Sequence, residues 1–112
     1  MESIKKASVL IVDDNPQNLQ LLGGIIYKYG YNVSIASSGL HAIQSASHEV
    51  PDLILLDILM PEMDGFEVCK IFKSNPETKD IPIIFLTAMN DYENILHGFC
   101  ILVYEGVKNK NL

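Results

Sequence analysis

The sequence predicts a doubly wound α/β domain, and two features of its hydrophobic pattern support this. Three short runs of consecutive apolar residues, at 9–12, 53–56 and 83–86, alternate with longer segments in which apolar residues recur every three or four positions. A run that is apolar without alternation is typical of a strand covered on both faces, as in a parallel sheet with helices on each side. Because 112 residues suffice for one core, we expect residues 1–112 to form a single domain.

The predicted elements follow one another as β-α-β-α-β-α-β-α, which favours right-handed crossovers between parallel strands. The alternating segment 33–36 indicates a strand at the sheet edge. Asn15 and Pro16 predict the start of the first helix, and Gly30 predicts its end. Its expected inward residues are Leu19, Leu22, Ile26 and Tyr29.

Three further helices are predicted, over 38–48, over 65–73 and after a cap at Asp91. Their apolar residues share a face at helical spacing, which indicates the side that packs on the sheet. The expected inward residues are Ala42, Ile43, Ala46, Val68, Cys69, Phe72, Ile95, Leu96 and Phe99.

The net charge, the length of the apolar runs and the spacing of cysteines and histidines argue against several classes of protein. A net charge of −6 argues against direct binding of nucleic acid, because phosphate backbones demand basic patches. The longest apolar runs are too short to cross a membrane or to form a signal peptide, so we expect a cytoplasmic protein. Cys69, Cys100 and the three histidines show no metal-binding spacing.

The first polar residues after the three apolar runs are the candidates for chemistry. Asp13 and Asp14 follow the first run, Asp57 follows the second, and Thr87 follows the third. In open parallel sheets the ligand site lies beyond the carboxyl ends of the strands, so these side chains are expected at one place. Such hard oxygen ligands suit Mg²⁺, and a carboxylate there can act as a nucleophile toward phosphorus. The alternative is that the aspartate pair is only a turn or a helix cap, and that Thr87 only caps the next helix.

Three strings of residues resemble the receiver domain of two-component response regulators: LIVDDN at 10–15, DILMPEMDG at 57–65 and FLTA at 85–88. The resemblance extends from residue 8 to about residue 99. It implies a flavodoxin-like fold with a five-stranded parallel sheet in the order 2-1-3-4-5. It also implies a phosphorylation-dependent signalling switch, which takes its phosphoryl group from a histidine kinase or a phosphotransfer protein and can act on an attached output domain.

The resemblance assigns the acidic residues to one site. By it, Asp57 is the phosphoacceptor and also a ligand of Mg²⁺. Asp14 would bind the metal directly, Asp13 would bind it mainly through water, and the backbone carbonyl of Leu59 would be a further ligand.

Other assigned roles concern the phosphoryl group and the shape of the site. Thr87 and the backbone N–H of Ala88 would hold a phosphoryl oxygen, and Gly65 resembles a loop-shaping residue of the family. Leu59 and Met89 occupy the two positions that usually tune the lifetime of the phosphoryl group. Because both are apolar and cannot orient a water molecule, we expect slow self-dephosphorylation.

The resemblance ends after residue 99. Too few residues remain for the family's fifth helix, so we expect this helix to be absent and the domain to be atypical or truncated. The family's lysine position falls on Asn109, so either Lys108 or Lys110 substitutes for it or the site lacks this cation. Because apolar surface would then lack its cover, we expect a homodimer contact through residues 100–107.

Two alternative functions stay open on the sequence alone. The first is a pseudo-receiver, in which the same fold serves as an interaction or dimerisation module without phosphotransfer. The second is a Mg²⁺-dependent phosphatase with an aspartyl nucleophile, although the Asp-x-Asp string and cap domain of haloacid-dehalogenase enzymes do not appear. A flavin-binding flavodoxin ranks last. Its phosphate would have to bind at the loop after the first strand, which reads Asp-Asp-Asn-Pro, and the acidic groups of this loop repel phosphate unless a metal intervenes. For a domain that resembles a receiver, we expect no enzymatic activity beyond self-phosphorylation and self-dephosphorylation.

Overall fold

A computed structural model of the chain describes residues 6–86 and the backbone of residues 101–103. Strands and helices alternate along residues 6–86 as the hydrophobic pattern predicts. The elements are β1 (Ser8–Val12), α1 (Pro16–Lys28), β2 (Asn32–Ala36), α2 (Gly39–His48), β3 (Leu53–Asp57), α3 (Gly65–Ser74), β4 (Ile83–Leu86) and β5 (Ile101–Val103).

The strands form one sheet in the order β2-β1-β3-β4-β5, as the family resemblance implies. The first four strands are parallel, and β2 lies at the edge where its alternating pattern predicted it. The doubly wound, flavodoxin-like class is therefore confirmed for this part of the chain.

The direction of the fifth strand differs from the expected all-parallel sheet. Ile101 pairs with Leu86, and Val103 pairs with Ile84, so β5 runs antiparallel to β4. The first residue of β5 thus lies beside the last residue of β4, and strands that meet in this way run in opposite directions. An antiparallel edge strand on a parallel sheet is common in α/β domains. The predicted fourth helix and the region of the expected missing fifth helix lie outside the described residues.

Alternate residues of the central strands feed two hydrophobic clusters, because successive side chains of a strand point to opposite faces. Burial of each large aliphatic side chain stabilises the fold by about 1.5–3 kcal/mol. The cluster with α2 and α3 includes Leu10, Val12, Ile54, Leu56, Ile83, Phe85, Val68 and Phe72. The cluster with α1 includes Val9, Ile11, Leu55, Leu86 and Leu19. Together the clusters hold β1 and β3 side by side.

Helix α1 begins as its sequence predicts and ends just before its last predicted inward residue. The side chain of Asn15 accepts hydrogen bonds from the backbone N–H groups of Gln17 and Asn18, at 2.8 and 3.3 Å. Leu19 is buried, as expected. Tyr29, however, is 77% exposed, so its predicted inward position is wrong. The helix ends at Lys28, and a residue beyond the end no longer follows the helical periodicity.

Helices α2 and α3 lie within a residue of their predicted bounds. Ser38 caps α2, and Asp64 forms a capping box with Glu67 at the start of α3. The inward residues predicted for both helices pack in the core: Ala42, Ala46, Val68, Cys69 and Phe72 are buried, and Ile43 is partly buried. Among the described residues, no helix is both long and apolar enough to cross a bilayer.

Candidate functional site

Three aspartates meet beyond the carboxyl ends of β1 and β3. Asp13 and Asp14 directly follow β1, and Asp57 is the last residue of β3. Since these two strands are parallel neighbours, their carboxyl ends lie at the same edge of the sheet. One carboxylate oxygen from each aspartate lies within 4.8 Å of the others. The structure therefore brings together the acidic residues that the sequence analysis selected.

Asp13 is buried and both of its carboxylate oxygens are engaged. One oxygen accepts a hydrogen bond from the backbone N–H of Asn15 at 2.9 Å. The other accepts a bond from the side-chain amide of Asn18 at 3.1 Å. The backbone N–H of Asp13 donates to the carbonyl of Ala36 at 3.1 Å, which ties the loop to β2. These bonds hold Asp13 in one orientation.

Asn18 is a site residue that the sequence analysis missed. It lies in the first turn of α1, shortly after the Asn15 cap, and its side chain reaches back to the loop after β1. The sequence carries only one signal for this role: Asn18 is an amide residue in the first turn of a helix that follows an acidic loop. The signal is weak because the contact depends on how the loop bends.

The environment makes ionisation of two of these carboxyls unfavourable. Burial raises the pKa of Asp13, although its bonds to Asn15 and Asn18 offset part of the increase. Burial, followed by repulsion from Asp13 and Asp14, raises the pKa of Asp57 to about 7. The nearby backbone N–H groups of Leu59 and Ile58 act in the opposite direction on the pKa of Asp57. A cation among the three carboxylates would remove the repulsion.

The donor set fits Mg²⁺. All three candidate ligand groups are carboxylates, which are hard oxygen donors, and the site has no described histidine or cysteine among its potential ligands. The side chain of Leu59 is 58% exposed, and its backbone lies close enough to Asp57 to lower the pKa of that carboxyl. The role of its carbonyl as a metal ligand stays a prediction.

Gly65 lets α3 pack directly on the backbone of the phosphoacceptor candidate. A Cβ atom at this position would collide with the carbonyl oxygen of Asp57 and would lie 2.8 Å from the Cα of Ile58. The backbone N–H of Gly65 donates to the carbonyl of Ile58 at 2.9 Å. The loop after β3 is therefore clamped to the start of α3, and only glycine fits there.

Several predicted residues lie outside the part of the chain that the structure describes. The side chains of residues 100–107 also fall outside it, so the expected dimer contact there stays a prediction. The same holds for Thr87, Ala88, Met89, Lys108 and Lys110.

Comparisons with known proteins agree on one family. A family model of the response regulator receiver domain matches residues 9–104. The polar-differentiation response regulator DivK of Brucella ovis is 43% identical over 96 residues, which cover 83% of this chain and 78% of DivK.

Two other relatives are much longer than this chain. A probable cyclic di-GMP phosphodiesterase of Vibrio cholerae is 41% identical over 99 residues, and the response regulator PleD of Caulobacter vibrioides is 40% identical over 92. The matches cover 88% and 82% of this chain but only 22% and 20% of those proteins. The chain thus spans about a fifth of the length of these two relatives.

Solved structures give the same result for the fold. The N-terminal domain of a response regulator receiver protein from Methanoculleus marisnigri has a TM-score of 0.72 at 30% identity, over 93% of this chain and 95% of that one. The chemotaxis protein CheY4 of Vibrio cholerae has a TM-score of 0.70 at 34% identity, over 71% of this chain and 67% of its own.

Proposed function

Because the chain belongs to the response regulator receiver domain family, we propose that it is a signalling switch in which Asp57 accepts a phosphoryl group from a partner protein. One observation carries this proposal: the carboxylates of Asp13, Asp14 and Asp57 converge within 4.8 Å at the carboxyl ends of β1 and β3. Asp57 is only 7% exposed, so its carboxylate lies largely out of contact with solvent. A structural turn or cap does not require three acidic groups so close together.

Phosphoryl transfer to Asp57 is a displacement at phosphorus. An oxygen of the Asp57 carboxylate forms a bond to phosphorus while the bond from phosphorus to a donor histidine nitrogen breaks. The electron pair of that broken bond stays on the nitrogen, and a proton carried by the other ring nitrogen of the donor makes the leaving group neutral, so the products are an aspartyl phosphate and a free imidazole. The backbone of Ile58, which donates to the carbonyl of Leu86 and accepts from the N–H of Gly65, fixes the loop directly after the attacking carboxylate.

Asp13, Asp14 and Asp57 are the residues that would hold Mg²⁺. When bound, Mg²⁺ supplies positive charge that offsets the negative charge of the phosphoryl group and of the three carboxylates. Asn18 acts as a positioning residue here, because its amide fixes one oxygen of Asp13.

The phosphoryl donor we propose is a histidine kinase or a phosphotransfer protein, and the setting is cytoplasmic. The long relatives, of which this chain matches about a fifth, support an attached output domain as the recipient of the signal. In this proposal the chain has no catalytic activity toward other substrates.

Small-molecule labelling tests the proposal. The purified chain is incubated with acetyl phosphate and Mg²⁺, and its intact mass is measured. We expect the mass of one added phosphoryl group on the wild type and no addition on Asp57→Asn. Asp80→Asn is the matched control, because Asp80 is exposed and precedes β4, at the opposite end of the strands from the site.

The same assay separates the alternatives. A folded wild type that stays unlabelled would overturn the proposal and favour the pseudo-receiver. Continuous release of phosphate from p-nitrophenyl phosphate, in amounts above one equivalent and dependent on Asp57, would favour the phosphatase.

A further inference from the structure

In the described part of the chain, strand β2 is an open sheet edge without the features that usually protect one. It pairs with β1 on one side, in a regular register from Asn32 to Ala36 with no bulge. Its sequence, NVSIA, has no charged residue and no proline. Edge strands normally carry such features because free backbone groups otherwise pair with another chain.

The backbone groups of Val33 and Ile35 point to this open edge. The N–H of Asn32 donates to the carbonyl of Ala7 at 2.9 Å, and the carbonyl of Ala36 accepts from Asp13 at 3.1 Å. Asn32 and Ala36 thus face β1. Because backbone groups alternate sides along a strand, Val33 and Ile35 present their N–H and C=O groups away from β1.

An apolar surface flanks the edge. Ile35 is 49% exposed, and Tyr31 is also exposed at the start of the strand. On α1, Gly23 lies over Val33 and Ile35, and the exposed Tyr27 follows one turn later on the same side of the helix. Apolar and aromatic side chains around an unpaired edge are typical of an interface core.

The distribution of charge favours a second copy as the occupant. The sequence has no Asp or Glu between Asp14 and Glu49, a stretch that includes α1, β2 and α2. All the acidic residues that produce the net charge of −6 lie outside it. Two copies repel each other through their acidic surfaces, whereas contact through this side, where the stretch carries one charged residue, Lys28, and no acidic one, avoids that repulsion.

We propose that the chain forms a homodimer in which β2 pairs antiparallel with the β2 strand of a second copy, about a two-fold axis at Ser34. In this register Val33 lies opposite the partner's Ile35, and the two residues exchange both backbone hydrogen bonds. The symmetric pair does the same, which gives four backbone hydrogen bonds and two apolar cross-strand pairs. The two sheets then join into one.

Sedimentation velocity over a range of concentrations tests the dimer. We expect wild type to dimerise and Ile35→Lys to weaken the association by at least about 100-fold, because two lysines would enter the paired strands. Ile25→Lys is the matched control: Ile25 is 44% exposed on α1, on the flank of the helix opposite Gly23 and Tyr27, and this change leaves dimerisation intact. A wild type that stays monomeric, or a dimer that survives Ile35→Lys, overturns the proposal.

Cross-linking gives a second test that does not depend on a disruptive substitution. At a non-hydrogen-bonded antiparallel pair, the two residues at the axis lie close enough for a disulfide. With Cys100 replaced by serine, Ser34→Cys is expected to form a covalent dimer on oxidation, while the exposed Leu40→Cys on α2 does not. Equal cross-linking of the two variants, or capture of β2 by another protein in place of a second copy, contradicts the proposed register.

Discussion

Replacement of Asp57 by asparagine is expected to stabilise the metal-free protein at neutral to alkaline pH. Burial and the neighbouring carboxylates raise the pKa of Asp57 from 3.8 to about 7. Between these two values the unfolded state has lost the proton while the native state retains it. The free energy of unfolding therefore falls as pH rises through this window and is constant above it. The asparagine side chain of the variant does not titrate, so this site does not lower the free energy of unfolding of the variant as pH rises.

The size of the effect follows from the difference between the two pKa values. About three pH units at 1.36 kcal/mol each correspond to about 4 kcal/mol above neutral pH. The neutral amide no longer benefits from the backbone N–H groups of Leu59 and Ile58, which favour the charged carboxylate, so the gain is smaller and we expect Asp57→Asn to add about 2–3 kcal/mol at pH 8.

Urea unfolding in the presence of EDTA, followed by circular dichroism, measures this difference. At about pH 4.5 the two proteins should differ by less than about 1 kcal/mol, because both are then largely uncharged at this position in the native state. The exposed Asp80→Asn control should change stability by less than about 0.5 kcal/mol at either pH. Mg²⁺ should reduce the gap at pH 8, since ligand at 100 times its dissociation constant stabilises wild type by about 2.7 kcal/mol. A destabilised Asp57→Asn at pH 8, or an equal effect at both pH values, would refute the reasoning.

Three further substitutions, with one matched control, test the surroundings of the site. Gly65→Ala should destabilise the fold by about 2–4 kcal/mol in urea unfolding, because its Cβ meets backbone atoms of Asp57. Gly24→Ala, whose Cβ meets nothing within 4 Å, should instead stabilise it by about 0.5–1 kcal/mol; a similar sign for the two alanines would contradict the clamp. Asn18→Ala should weaken Mg²⁺ binding about tenfold by calorimetry, since the amide no longer orients the carboxylate of Asp13, and unchanged affinity would exclude this role. Leu59→Asn should accelerate loss of the phosphoryl group about tenfold by orienting a water molecule, whereas an unchanged decay would remove Leu59 as the cause of slow dephosphorylation.

The central strands and the acidic cluster were predictable because both follow from local pattern. Continuous apolar runs identify strands that are covered on both faces, and the apolar cores of β1, β3 and β4 all lie within such runs. Parallel neighbours end at the same edge, so the first polar residues after the apolar runs of β1 and β3 had to meet.

Other features depend on geometry that a local pattern does not encode. The antiparallel direction of β5 depends on where the chain returns after β4, and three apolar residues carry no directional signal. The exposure of Tyr29 depends on which residue ends α1, and helix ends are uncertain by one or two residues. The contact from Asn18 to Asp13 depends on the bend of the loop between them.

The location of the phosphoryl group is the most direct test of the account. Wild-type protein labelled by acetyl phosphate with Mg²⁺ is digested rapidly at low temperature, and the peptides are sequenced by tandem mass spectrometry, with EDTA in a parallel sample. The account predicts a single phosphoryl group on Asp57 that is absent when the metal is chelated. A phosphoryl group on another residue, or equal labelling with and without Mg²⁺, would contradict it.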